Sequence, residues 1–256
     1  MHKNYLEVKI YNGPGTSKTG IKYMIKNLQN RYNNIKITLI GYSDFQDQSI
    51  LAKCDLFMIL GGRDMPYTRY LNGLPNLIIK NYVLNGGNYL GICAGAYYSC
   101  ARVVFAENTN QEVIGERELK FYEGECKGPI LSRYYYNSKR GTKAAQIGIL
   151  NFLSQSICST YIHYNGGGTF IDPEKYQNVE VLARYLDLAN SPAAIIKINY
   201  GKGKVVLSGV HFEYCNSKTH PYAQKKCASF LRLHNNINNA LFDYIFNIMG
   251  TASNSI

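Results

Sequence analysis

Cys93 stands in the run Gly91-Ile92-Cys93-Ala94-Gly95-Ala96, a thiol framed by small residues. A strand-like segment, Asn88-Tyr89-Leu90, precedes it, and Tyr97-Tyr98-Ser99-Cys100-Ala101-Arg102 reads as a helix after it. A sharp strand-to-helix turn accepts only small neighbours, because the backbone doubles back around the residue at its apex. The thiol then leaves the packed sheet and sits at a helix N-terminus, where free amides and the helix dipole favour a thiolate. A cysteine so placed is a candidate nucleophile. A matching base lies far along the chain, in Gly209-Val210-His211-Phe212-Glu213-Tyr214. If the backbone is extended there, His211 and Glu213 face the same way. The imidazole can then take the proton of Cys93 while Glu213 holds its other nitrogen. Gly61-Gly62 offers a glycine amide, that of Gly62, to join the Ala94 N–H in an oxyanion hole. Each piece also has a plain use: a lone buried cysteine or histidine is usually structural, and two glycines are often only a turn. It is their combination that points to chemistry. His163, His211, Cys215 and His220 show no metal-ligand spacing, so neither a metal nor a cofactor is expected.

The elements that must position these residues alternate. Leu6-Glu7-Val8-Lys9-Ile10-Tyr11 reads as a strand and ends in the turn-rich Asn12-Gly13-Pro14-Gly15-Thr16-Ser17. Ile21, Met24, Ile25 and Leu28 recur at helical spacing, Ile35–Ile40 is a second strand, and Cys54–Leu60 is a buried one that stops at Gly61-Gly62. Leu77–Leu84 reads as a helix before the strand that carries Cys93. Strands alternating with helices argue for a parallel sheet covered on both faces, with ligands beyond the carboxyl ends of its strands. That edge collects the loops at Asn12-Gly13, at Gly61-Gly62 and at Cys93, and the stretch holding His211. The middle, residues 107–146, is polar and rich in Gly and Tyr, with short strands expected near Leu119–Phe121 and Leu150–Phe152. Ser159–Tyr164, Val179–Leu186, Ala193–Ile198 and Lys204–Ser208 follow as strands, the last two joined in a hairpin through Asn199–Gly203. Phe230, Leu233, Ile237, Leu241, Tyr244 and Ile248 fall on one face of a C-terminal helix, with an Asn-rich interruption at 235–239. No repeat or linker divides the chain, so one domain over residues 1–256 is expected, with its core at 6–248 and a disordered tail at 251–256.

The 256 residues carry 28 Lys+Arg against 17 Asp+Glu, a net charge of +11, which admits an anionic partner. No basic cluster interleaved with aromatics and no helix-turn-helix or zinc-finger spacing appears, so no specific nucleic-acid site is expected. A small-molecule substrate or an acidic partner is the expectation. Seven scattered cysteines without a C-x-x-C pair suit a reduced chain rather than a disulfide scaffold, and Cys54, Cys100 and Cys158 read as small core residues. No signal peptide and no membrane-length apolar run is found, so a soluble, cytoplasmic protein is expected.

These pieces, in this order, resemble the class I glutamine amidotransferase superfamily, and more closely the amidotransferase-like N-terminal domain of biotin–protein ligases, which also occurs free-standing. The resemblance is carried by Tyr11–Thr16, Gly61–Tyr67, Gly91–Tyr97, Arg117–Tyr122, Tyr164–Gly168 and Gly209–Glu213. It implies a three-layer α/β/α fold with a mostly parallel central sheet, flavodoxin-like in outline, and a triad of Cys93, His211 and Glu213 with Gly62 and Ala94 at the oxyanion hole. Asn12, Gly13, Gly61, Tyr97, Asn165 and Gly166 become candidate substrate contacts. Ala96 and Tyr97 stand where glutaminases commonly have a glutamine, which argues against glutamine as the substrate. No Gly/Arg-rich biotinyl-AMP loop is present, so biotin ligation by this chain itself is not expected. Three readings stay open: a cysteine-nucleophile amide hydrolase or amidotransferase-like enzyme, a non-catalytic binding or regulatory module on the same fold, and a redox- or aldehyde-responsive cysteine.

Overall fold

Short strands of four to six residues set the centre of the molecule: β1 (Leu6–Tyr11), β2 (Ile35–Ile40), β3 (Leu56–Ile59) and β4 (Asn88–Ile92). The structure is a computed structural model that describes residues 5–135, 138–152, 155–217, 220–221 and 223–251, so the tail expected at 251–256 lies, beyond Thr251, outside the described residues. Alternation within a strand sorts side chains to two faces. Leu56 and Met58 of β3 pack with Ile21, Met24 and Leu28 of α1 (Lys18–Gln29), whereas Phe57 and Ile59 pack toward Tyr67 of α2 (Asp64–Leu71) and Ile79 of α3 (Leu74–Leu84). A strand buried on both faces needs helices on both, and three layers result.

The remaining strands are β5 (Cys100–Phe105), β6 (Val113–Glu116), β7 (Tyr122–Gly128), β8 (Thr142–Phe152), β9 (Gln155–Asn165), β10 (Thr169–Phe170), β11 (Val179–Tyr185), β12 (Ala193–Tyr200) and β13 (Gly203–Ser208). The main path of the sheet runs β2-β1-β3-β4-β13-β12-β10-β7-β5-β6. The first five strands of that path are parallel. From β12 onward the pairing turns antiparallel, apart from β5 with β7. The sheet is therefore mixed: the parallel part matches the alternating segments of the sequence, and the antiparallel part grows from its polar middle. A side branch, β12-β11-β8-β9, ends in a hairpin of two eleven-residue strands whose register sets Thr142 opposite Asn165.

Two expected elements are relocated. Leu119–Phe121 is loop with Leu119 and Phe121 buried, and the strand starts at Tyr122. The C-terminal helix is two helices, α5 (Lys225–Arg232) and α6 (Asn235–Ile248), counting α4 (Ala94–Tyr98) before them. The Asn-rich stretch opens α6 instead of interrupting it, and its buried face is Asn238, Leu241, Phe242, Ile245 and Phe246. Leu233, between the helices, is 79% exposed. Asn238 is tolerated in the core because its amide is satisfied by Thr160 Oγ1 and the Tyr161 carbonyl. All seven cysteines are free, with Cys54 and Cys100 buried and Cys158 only half-buried. Among the described residues, no helix is long and apolar enough to cross a membrane.

Candidate active site

β4 ends at Ile92, and Cys93 takes φ 51° and ψ −109°, a conformation that strains any residue with a side chain. The Cys93 N–H donates to the Ser208 carbonyl of β13 and its carbonyl accepts from Tyr97 N–H, which opens α4. The small frame is required by close approach. A Cβ on Gly95 would fall 1.9 Å from the Ile59 carbonyl oxygen, and one on Gly91 would fall 2.9 Å from that of Gly95. The helix expected through Arg102 stops at Tyr98. The Ser99 hydroxyl donates to the Gly95 carbonyl, and the β-prone Arg102-Val103-Val104-Phe105 pairs with β7.

His211 and Glu213 follow β13, but not in extended chain. His211 N–H donates to the His163 carbonyl, and Phe212–Tyr214 form a single 3₁₀ turn. The turn folds Glu213 back so that Oε1 lies 2.8 Å from His211 Nδ1. Glu213 is fully buried, its carbonyl accepts from the Asn27 amide of α1, and Oε1 comes within 3.7 Å of where a Gly20 Cβ would stand. Burial works against an imidazolium at His211, but the nearby Glu213 and Cys93 outweigh it and hold the ring protonated well above the ordinary histidine range. The Cys93 thiol donates to the Asn165 carbonyl at 3.7 Å. Gly61 lies against both side chains: a Cβ there would meet His211 Cε1 at 2.9 Å and Cys93 Cβ at 3.6 Å.

Cys93 and His211 share a cavity of about 360 Å³ with Gly61, Gly62, Ala94, Tyr97, Asn165 and Gly166. Gly62 is held at φ +150° by the Gly15–Ser17 loop, whose Gly15 carbonyl accepts from Arg63 N–H while Ser17 N–H donates to the Gly61 carbonyl. Among the described residues, neither the Gly62 nor the Ala94 N–H meets a backbone carbonyl. Asn12 and Gly13 do not line the cavity. Asn12 accepts from Lys18 Nζ at 2.6 Å, and Gly13 presses against the Tyr11 ring. Gly15 to Thr19, where the same loop becomes α1, stand there in their place. His163 and Tyr134 also line the cavity and were not singled out as site residues in the sequence; His163 alone had a visible cue, as the residue two before Asn165. Among the described residues, no three His, Cys, Asp or Glu side chains are grouped to hold a metal ion.

The Arg117-Glu118 pair braces this edge. Arg117 donates to Asp64, which lines the cavity, and Glu118 Oε2 accepts from the Gly73 N–H that starts α3 and from Asn76, each at 2.7 Å. Asn76 in turn accepts from Tyr98 OH, so the end of α4 is tied to the same network.

A mixed sheet between helices, whose parallel part ends in a strained cysteine elbow with loops gathered over its carboxyl edge, has the class I glutamine amidotransferase-like architecture. A Thermoplasma acidophilum protein assigned to GMP synthase shares the fold, at TM-score 0.51 and 12% identity over 96% of this chain and 100% of its own. The sequence matches the family "Biotin-protein ligase, N terminal" over residues 6–254, and the chain belongs to that family. It is 36% identical to the biotin–protein ligase of Schizosaccharomyces pombe over 82% of its length, which is 33% of the ligase. It is 44% identical over 62% of its length to an uncharacterized protein of Chlamydia muridarum, covering 60% of that protein. The chain thus spans between a third and two thirds of the length of these relatives.

Proposed function

We propose that the chain is a cysteine-nucleophile hydrolase of a small amide or related acyl compound. The observation that carries this reading is His211, held at Nδ1 by buried Glu213 and lining the same cavity as Cys93. In the proposed cycle the Cys93 proton is the one that the His211 ring carries, and the sulfur turns from the Asn165 carbonyl toward the substrate. The sulfur attacks the substrate carbonyl carbon, and the C=O electron pair moves onto oxygen, where the Gly62 and Ala94 N–H groups stabilise it. Collapse expels the amine, which takes the proton from His211. Water, deprotonated by the same ring, cleaves the thioester and restores the thiol. The name of the fission yeast relative belongs to a protein of which this chain matches 33%, and no ligation is proposed.

The test is alkylation of the intact protein by iodoacetamide at pH 7, mapped by peptide mass. Modification should concentrate on Cys93 and slow at least tenfold in His211→Ala. Cys93 reacting no faster than free cysteine in both proteins would favour the binding-module reading.

A further inference from the structure

His163 ends up in the cavity without a task in that cycle. It sits two residues from the end of β9, is 1% exposed, and its Nδ1 has no hydrogen-bond partner among the described residues. A buried polar nitrogen left unpaired destabilises the fold, and a hydrogen-bonding group of a ligand would relieve that cost. The ring is fixed on three sides. It stands edge-on to His211 with centroids 5.6 Å apart, packs on Tyr214 at 4.7 Å, and stacks on His220 at 5.8 Å.

We propose that His163 selects the substrate at this site by hydrogen-bonding an uncharged polar group, an amide, ureide or ester, beside the bond that Cys93 attacks. The inference rests on the reading of Cys93 as the nucleophile and names the chemical class it acts on. Two features favour a neutral group over a cation. The protonated His211 ring, 5.6 Å away, repels a cation, while Glu213 is turned to the far nitrogen of that ring. Burial, His211 and His220 together push the His163 proton affinity far below the ordinary histidine range, so the ring offers one N–H and one bare nitrogen. An amide or ureide can use either. A primary ammonium would find one acceptor and the like charge of the His211 ring.

The probe is iodoacetamide, which carries a neutral amide next to the carbon that the thiol attacks. Rates of Cys93 alkylation against probe concentration separate the half-saturating concentration from the limiting rate. His163→Leu removes the polar nitrogen at similar bulk, and His163→Asn restores an amide at the Nδ1 position. The expected result is a half-saturating concentration raised about threefold to tenfold in His163→Leu, a limiting rate within twofold, and recovery in His163→Asn. The charged probe 2-bromoethylammonium should show no such dependence on residue 163. An unchanged half-saturating concentration, or a rate that never saturates, overturns the proposal. Dependence of the limiting rate on His211 tests the nucleophile reading separately, so the two can fail independently. Should His163→Leu not fold, the wild-type protein carries the test: the ring ¹⁵N resonances of His163 must shift on titration with acetamide, and unmoved resonances overturn the proposal.

Discussion

Arg117 places both Nε and one terminal N–H on a single oxygen of Asp64, Oδ2, at 2.9 and 2.6 Å. The guanidinium is 4% exposed and the carboxylate 13%, so the pair joins the cavity wall to the segment before β7 largely out of water. Removing one member of such a pair strands the other charge. Arg117→Met should cost about 3–5 kcal/mol in urea unfolding, and the double variant with Asp64→Asn should regain part of that loss. Additive losses in the double-mutant cycle would show that the two residues act independently.

Glu118 supports the same edge through backbone. Its Oε2 satisfies the Gly73 N–H and the Asn76 amide, and Asn76 is 1% exposed. Glu118→Ala should lower stability by roughly 1–3 kcal/mol and speed hydrogen exchange at the start of α3. Unchanged exchange there would remove its helix-starting role.

Gly95→Ala should be among the most damaging single-atom additions to the chain. The new Cβ meets backbone at 1.9 Å, which no rotamer can relieve, so a loss above about 3 kcal/mol or failure to fold is expected. Gly41→Ala is the control: its φ is −97° and the nearest atom to its Cβ is 3.8 Å away, so stability should stay within about 0.5 kcal/mol. Equal losses in the two variants would contradict the close approach of α4 to β3.

The histidines pull stability in opposite directions with pH. The folded His211 value lies above its ordinary 6.5, so its contribution is complete below that pH and is withdrawn as pH climbs through the raised value. His220 is lowered by burial and by Arg232 to about 4, so its contribution is present above 6.5 and lost as pH falls toward 4. His163 acts in the same sense as His220. Stability should therefore decline on both sides of neutrality. Glu213→Gln should flatten the alkaline limb and bring the His211 ring titration down, as followed by NMR. An alkaline limb untouched by that change would mean another group sets it.

The parallel part of the fold was open to sequence reading because its central strands β3 and β4 are buried on both faces and α1 repeats its apolar residues at a regular interval. Leu56–Ile59 and Ile21, Met24 and Leu28 carry that signature directly. The β8–β9 hairpin does not: its exposed positions include Ile157 as well as Lys143 and Ser159, and its partners are defined by pairing across the hairpin rather than by local pattern. The same limit applies at the site. The small frame of Cys93 and the spacing of His211 and Glu213 are local, so they were legible. His163 reaches the cavity through the register of β9, and Asn12 misses it because Lys18 draws its side chain away, neither of which a single sequence encodes locally.

The contact between Cys93 and the Asn165 carbonyl joins the parallel part of the sheet to the far end of the antiparallel hairpin. Contacts between distant parts of a chain close after local units have formed, because bringing such segments together costs loop entropy first. The cavity is thus completed only when both parts of the sheet have met. In a refolding chain, burial of the Cys93 thiol marks the closing step of assembly, and a thiol-reactive pulse at that position times the arrival of the finished molecule.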